Sequence, residues 1–167
     1  MRTYTQEEID YLIKCPKVIT NPPKKEMVLV YGHYRNSMNL HSTDGTHNFF
    51  VFMRKHAMFA ENFTIGLDYI PNDGSGHLCL LRCNGPHGGH TNELLTDTHH
   101  FGYHIHVAKD YNINNGRKSE LYAELTDRYA TFEDALAYFI EYCNIIDAEK
   151  YFLKFKQLTL FTEEGSS

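Results

Sequence analysis

Between positions 26 and 109 apolar and polar residues alternate with a period of two, in short runs broken by glycine, proline, asparagine and aspartate. Successive side chains of a strand point to opposite faces, so this alternation predicts strands with one buried face. Runs at 26–35, 38–42, 48–55, 63–70, 78–84 and 103–109 supply five to six of them. Asp44-Gly45 and Pro71-Asn72-Asp73-Gly74-Ser75-Gly76 mark turns, and connections this short imply antiparallel neighbours. At both ends the period changes. Thr5-Gln6-Glu7-Glu8 has the capping-box pattern, and Ile9, Leu12 and Ile13 follow at helical spacing. Cys15-Pro16 stops that helix, because a residue before proline is pushed out of the α region. Thr131-Phe132-Glu133-Asp134 starts another helix, with Phe132, Ala135, Leu136, Phe139, Ile140 and Cys143 as the stripe that should lie across the sheet. Segment 151–161 reads equally well as helix or strand. The expectation is an α+β fold: a curved, mainly antiparallel sheet with an N-terminal helix and C-terminal helical cover.

Composition narrows the class. The chain has 167 residues, of which 42% are hydrophobic and 22% charged, enough for one domain over 1–167 with 163–167 as a frayed tail. No apolar run approaches the 18 or so residues a membrane helix requires, so the expected location is the cytoplasm, with no membrane partner. In that compartment Cys15, Cys79, Cys83 and Cys143 are expected to be buried thiols. On one regular strand Cys79 and Cys83 would share a face about 13 Å apart, too far to hold one metal together.

The net charge of −5 is unevenly spread. Residues 1–118 carry 12 basic and 11 acidic side chains, against 4 and 10 in residues 119–167, giving local charges of +1 and −6. The overall sign therefore leaves room for a nucleic-acid partner at the first part of the chain.

The same first part holds all 11 histidines, six of them between 87 and 106. Arg82-x-Asn84-Gly85-x-His87-x-x-His90-x-Asn92 runs into a segment rich in Gly, His, Asn and Thr, followed by His99-His100 and His104-x-His106. On a strand His104 and His106 would project together, their Cβ atoms about 7 Å apart, and Arg82 and Asn84 would share a face of the preceding strand. Glycines let a backbone approach a ligand closely. His33, His41, His47 and His56 are scattered and carry no assigned role, and His77 sits at a turn.

Two chemistries suit this cluster. Without a metal, His104 and His106 would transfer protons during phosphodiester cleavage while Arg82 stabilises charge on phosphorus and His87, the fourth catalytic candidate, positions the phosphate. Asn84, His90 and Asn92 would then bind substrate, and Tyr103 would stack a base. Alternatively His87 or His90 with His104 and His106 would bind a divalent metal, although no HExxH or paired CxxC accompanies them. The run from Arg82 to Asn92, with His104-x-His106 and the helix opening at Thr131, resembles a group of small, uncharacterised bacterial proteins and more loosely the TumE-type toxins of toxin–antitoxin modules. The resemblance implies a metal-independent ribonuclease toxin without a cofactor, acting on RNA and paired with a cognate antitoxin. A different class is a non-enzymatic protein-binding factor, of phage or mobile-element type, that uses its acidic C-terminal third.

Overall fold

The computed structural model describes residues 2–86 and 102–152. It is an α+β fold built on one antiparallel sheet of eight strands, with helices at both ends of the chain. Helix α1 (Gln6–Lys14) starts where Thr5 Oγ1 accepts from the Glu8 amide at 3.1 Å. The Glu8 carboxylate binds Arg2, whereas a full capping box would turn it back to the Thr5 amide. Cys15 leaves the helical region with ψ 143°, as the following proline requires.

Strands β1 (Lys17–Asn21), β2 (Val28–Val30) and β3 (His33–Ser42) follow, then β4 (Asn48–His56), β5 (Phe63–Ile70), β6 (Leu78–Asn84), β7 (His104–Val107) and β8 (Ala123–Leu125). The strand order is β1-β3-β4-β5-β6-β7-β8, with β2 paired to the other end of β3's outer edge. The two strands beyond the six read from alternation are β1 and β8, short segments at the ends of the strand order. The turn at Tyr31-Gly32, both with positive φ, divides the run 26–35 into β2 and the start of β3. The predicted break at 36–37 is absent, because β3 pairs continuously with β4 from His33 to His41.

One face of the sheet carries the core. Phe49, Val51 and Met53 of β4, Phe63, Ile65, Leu67 and Tyr69 of β5, and Cys83 and Ile105 are all buried there. Helix α1 covers β6, and α3 (Phe132–Tyr142) lies over β5 and β6. Thr131 caps α3 by accepting from the Asp134 amide at 3.1 Å, and the whole predicted stripe from Phe132 to Cys143 is buried. Between β7 and β8 the chain makes a short helix, α2 (Asp110–Asn114), which alternation did not reveal.

Two details depart from a regular strand. A bulge in β6 pairs Leu81 with Leu67 and Cys79 with Asp68, leaving Leu80 extra. Cys79 is thereby turned away from the face of Cys83, against the shared-face expectation, and lies near Asp68, Arg82 and Glu120. All four cysteines are free thiols, and burial pushes Cys143 up to about 12. Lys17 is the largest surprise: it is 0% exposed, and its Nζ donates to the carbonyls of Ile13 at 2.7 Å, Cys15 at 2.9 Å and Cys143 at 2.9 Å. One ammonium thus closes the C-terminal ends of α1 and α3, where helix carbonyls lack partners and the dipole favours a cation.

Candidate functional site

The face opposite the core is polar, and register decides which of its residues meet. Arg35, Arg54, Thr64, Asn84 and His104 are successive partners across β3 to β7, forming one rank. Ser37, Phe52, Gly66, Arg82 and His106 form the next. With strands about 4.8 Å apart, each rank spans about 19 Å. Exposure falls along them, from exposed Arg35 and Arg54 to buried Asn84, His104 and His106.

At the buried end the expected neighbours do converge. Arg82 is the cross-strand partner of His106, and Asn84 that of His104. The two imidazoles lie edge to face with ring centres 5.0 Å apart. His104 is 0% exposed, and both its ring nitrogens are engaged, Nδ1 with the Gly102 carbonyl at 2.8 Å and Nε2 with Asn84 Nδ2 at 3.4 Å. A carbonyl only accepts, so the neutral ring carries its proton on Nδ1. His106 Nδ1 donates to the Glu120 carbonyl at 2.9 Å, which places the proton of the neutral ring on Nδ1. Arg82 Nη2 lies 3.8 Å from the Glu120 carboxylate, and its buried Nε has no hydrogen-bond partner among the described residues. Glu120 is held in turn by Ser119, whose hydroxyl sits 3.0 Å from Glu120 Oε2 and 2.6 Å from the Cys79 carbonyl.

The strand ends are clamped from below. Buried Tyr129 places its hydroxyl 2.8 Å from the His104 carbonyl and 3.1 Å from the Asn84 carbonyl, tying β6 to β7 at the site. Burial pushes its phenol above the ordinary range. Tyr103 belongs to the same aromatic group: its ring centre is 5.9 Å from Tyr129 and 6.2 Å from Phe63, on the face opposite His104 and His106. The structure therefore packs Tyr103 at the core margin, away from the proposed base-stacking position. His87, His90 and Asn92 lie outside the described residues, as do His99 and His100.

The shallow end was missed in the sequence. Lys24, Arg35, Arg54 and Arg82 line a groove of about 850 Å³, together with Phe50 and Phe52 and without any acidic side chain among its described lining residues. One wall is the chain between β1 and β2, pinned because Asn36 Oδ1 accepts from the Lys24 amide at 3.0 Å and Asn36 Nδ2 donates to the Lys24 carbonyl at 2.9 Å. The floor is the Phe52 ring, which lies over Gly66 in the space a Cβ there would fill. Burial lowers the pKa of Arg54, and the like charges of Arg35 and Arg82 act in the same direction. Alternation contains the signal in part: Phe50, Phe52 and Arg54 are the residues that remain once Phe49, Val51 and Met53 are assigned to the core.

Among the described residues no group of three or more His, Cys, Asp or Glu is placed to hold a metal ion. The histidine set expected for one includes His87 or His90 and so extends beyond them.

A family profile described as a family of unknown function, DUF6978, matches residues 4–145. The chain belongs to the DUF6978 family. Within this DUF6978 protein the match runs from Tyr4, beside the cap of α1, to Ile145 just after α3, and so takes in all eight strands and the candidate site. Comparison with the curated proteins and with the solved structures gives no match. No helix among the described residues is long and apolar enough to cross a membrane.

Proposed function

We propose that this DUF6978 protein is a ribonuclease of the toxin type that cleaves RNA without a metal ion. The observation that carries the reading is the Arg82–His106 pair: a guanidinium whose buried Nε has no partner among the described residues, beside an imidazole whose tautomer is set by the Glu120 carbonyl. His106 takes the proton of a ribose 2′-hydroxyl, the 2′ oxygen bonds to the adjacent phosphorus, and the bond to the 5′ oxygen breaks. Arg82 balances the charge that develops on the phosphoryl oxygens, the role for which a planar cation with fixed donors is suited. The leaving 5′ oxygen takes a proton from water, and the product strand ends in a cyclic phosphate. His104, buried with both nitrogens engaged, acts as a positioning residue for His106.

Purified protein incubated with RNA in the presence of EDTA tests this directly. Cleavage leaving cyclic phosphate ends is expected, with loss of cleavage in Arg82→Ala and His106→Ala variants that melt within a few degrees of the parent. Retained cleavage in both variants would sink the assignment. A toxin role adds growth inhibition on expression, relieved by the same substitutions and by a cognate antitoxin.

A second reading, a protein-binding factor using the acidic C-terminal third, is favoured by β8, the last strand of the sheet, where Glu124 and Leu125 are exposed, with exposed Asp127 just beyond. Glu120 belongs to the site and not to that surface. A Glu124→Lys, Asp127→Lys variant that captures a partner as well as the parent would count against it.

A further inference from the structure

Of the residues lining the groove at the exposed end of the polar face, only Arg82 has a part in the bond-breaking steps proposed above, and the rest form a continuous approach to it. Its cations come from three different strands and the β1–β2 connection, and cross-strand register places Arg35 directly opposite Arg54. Like charges opposite each other on a sheet are destabilising. A cleft lined by cations, without an acidic side chain among its described lining residues, concentrates a polyanion that can supply the counter-charge. The aromatic floor adds a second requirement. Phe50 and Phe52 are half-buried, and the far end of the Phe52 ring occupies the space that a Cβ at Gly66 would take. Cations that follow a backbone, interleaved with aromatic faces that accept bases, describe the recognition of single-stranded nucleic acid. A duplex presents its bases edge-on within grooves and offers no faces to stack.

We infer that the groove lined by Lys24, Arg35, Arg54, Phe50 and Phe52 binds a single RNA strand and leads it to Arg82. This rests on the ribonuclease reading for the identity of the strand as RNA, but the groove binds whether or not the bound strand is cut. Lys24 and the arginines contact phosphates, and Phe52 stacks a base. Preference for sequence is weak, since every base has an aromatic face and the groove offers few groups that read base edges.

The test separates binding from cleavage by using a fluorescein-labelled oligonucleotide with 2′-O-methyl groups, which has no 2′-hydroxyl to attack. Fluorescence polarisation of the full chain is measured over a range of KCl concentrations. Each phosphate contact on a single strand contributes about 0.7 to the slope of log affinity against log salt. Arg35→Ala with Arg54→Ala should therefore reduce the slope by about 1.4 and the affinity at low salt by tenfold or more. Both side chains are exposed, so the double variant should keep the parent's melting temperature. Phe52→Leu should weaken binding several-fold and leave the slope unchanged, since stacking involves no counterion release. Unchanged affinity and slope in the arginine variant would overturn the inference, as would equal affinity for a duplex of the same sequence. If the parent binds the modified strand through these arginines but leaves unmodified RNA intact, the groove stands and the ribonuclease reading fails. If it cuts RNA while the arginine variant binds normally, the reverse holds.

Discussion

His106 Nδ1 donates to the backbone carbonyl of Glu120 at 2.9 Å, while the carboxylate of the same Glu120 lies 3.8 Å from Arg82. One residue thus sets the tautomer of the histidine and partly neutralises the cation next to it. The two effects separate on substitution. Glu120→Gln keeps the carbonyl and removes the charge. A partly exposed ion pair as long as 3.8 Å is worth about 1 kcal/mol, so phosphate binding at Arg82 should tighten by about fivefold. Oligonucleotide binding by polarisation checks it, and weaker binding by the variant would contradict the arrangement.

The two histidines should differ in kind. His106→Ala is expected to abolish cleavage at every pH. His104→Asn should lower the rate and preserve the shape of the pH profile, because His104 orients its neighbour and does not exchange the proton. Single-turnover rates across pH distinguish the two, and a changed profile in His104→Asn would assign the proton transfer to His104 instead.

Gly85 is required by space. Its amide donates to the Phe63 carbonyl at 3.0 Å, extending the β5–β6 ladder, and a Cβ would run into the Glu61 backbone carbonyl. Backbone cannot yield as a side-chain tip can, so Gly85→Ala should destabilise by about 2 kcal/mol. At Gly66 the obstacle is only the far end of the Phe52 ring. Gly66→Ala should cost less in urea unfolding while displacing the groove floor and weakening strand binding.

Lys17→Met tests the internal cap. The methionine fills the same volume but leaves the carbonyls of Ile13, Cys15 and Cys143 without their donor. Buried carbonyls without partners are expensive, and the expected loss is roughly 3 kcal/mol by chemical denaturation. Burial holds the folded-state pKa of Lys17 below its ordinary value. A base with a depressed folded pKa charges at a cost in the native state. This contribution to stability therefore rises with pH from the folded pKa toward the unfolded value of about 10.4. Lys17→Met should lack that rise.

Asp44 gives a rise of stability with pH at the acid end too, but there the fold favours the charged form. Ser42 Oγ at 2.6 Å, and the Thr46 amide at 3.0 Å and hydroxyl at 2.7 Å, donate to its carboxylate and lower its pKa to about 2. A carboxylate with a depressed folded pKa stabilises above the unfolded value near 3.9 and loses that contribution as pH falls toward 2. Asp44→Asn should flatten the acid limb of the stability profile over that interval, as measured by urea unfolding at successive pH values.

Local patterns made much of the architecture legible. The runs at 63–70 and 78–84, rich in apolar residues and bounded by turn signals, became strands with those limits. Thr5 and Thr131 announced helix starts because capping depends on residues within one turn. The pairing of His104 with His106 was legible for the same reason, a period of two on one strand. Cys79 failed that rule because the bulge at Leu80 adds a residue, and no period in β6 alone reveals which partner it will face.

What the sequence determined by itself were the helices, the strand periodicity and the local concentration of histidine, all properties of residues within a few positions of each other. Tertiary structure alone decided that Arg35 meets Arg54, that Arg82 meets His106, and that Glu120 attends them both. It also decided that Lys17, a surface residue by type, would become the buried cap of two helix ends. Each depends on the register between strands or the docking of helices far apart in the chain. Register is set by the combined fit of the buried face, a sum over the sheet that no short segment carries.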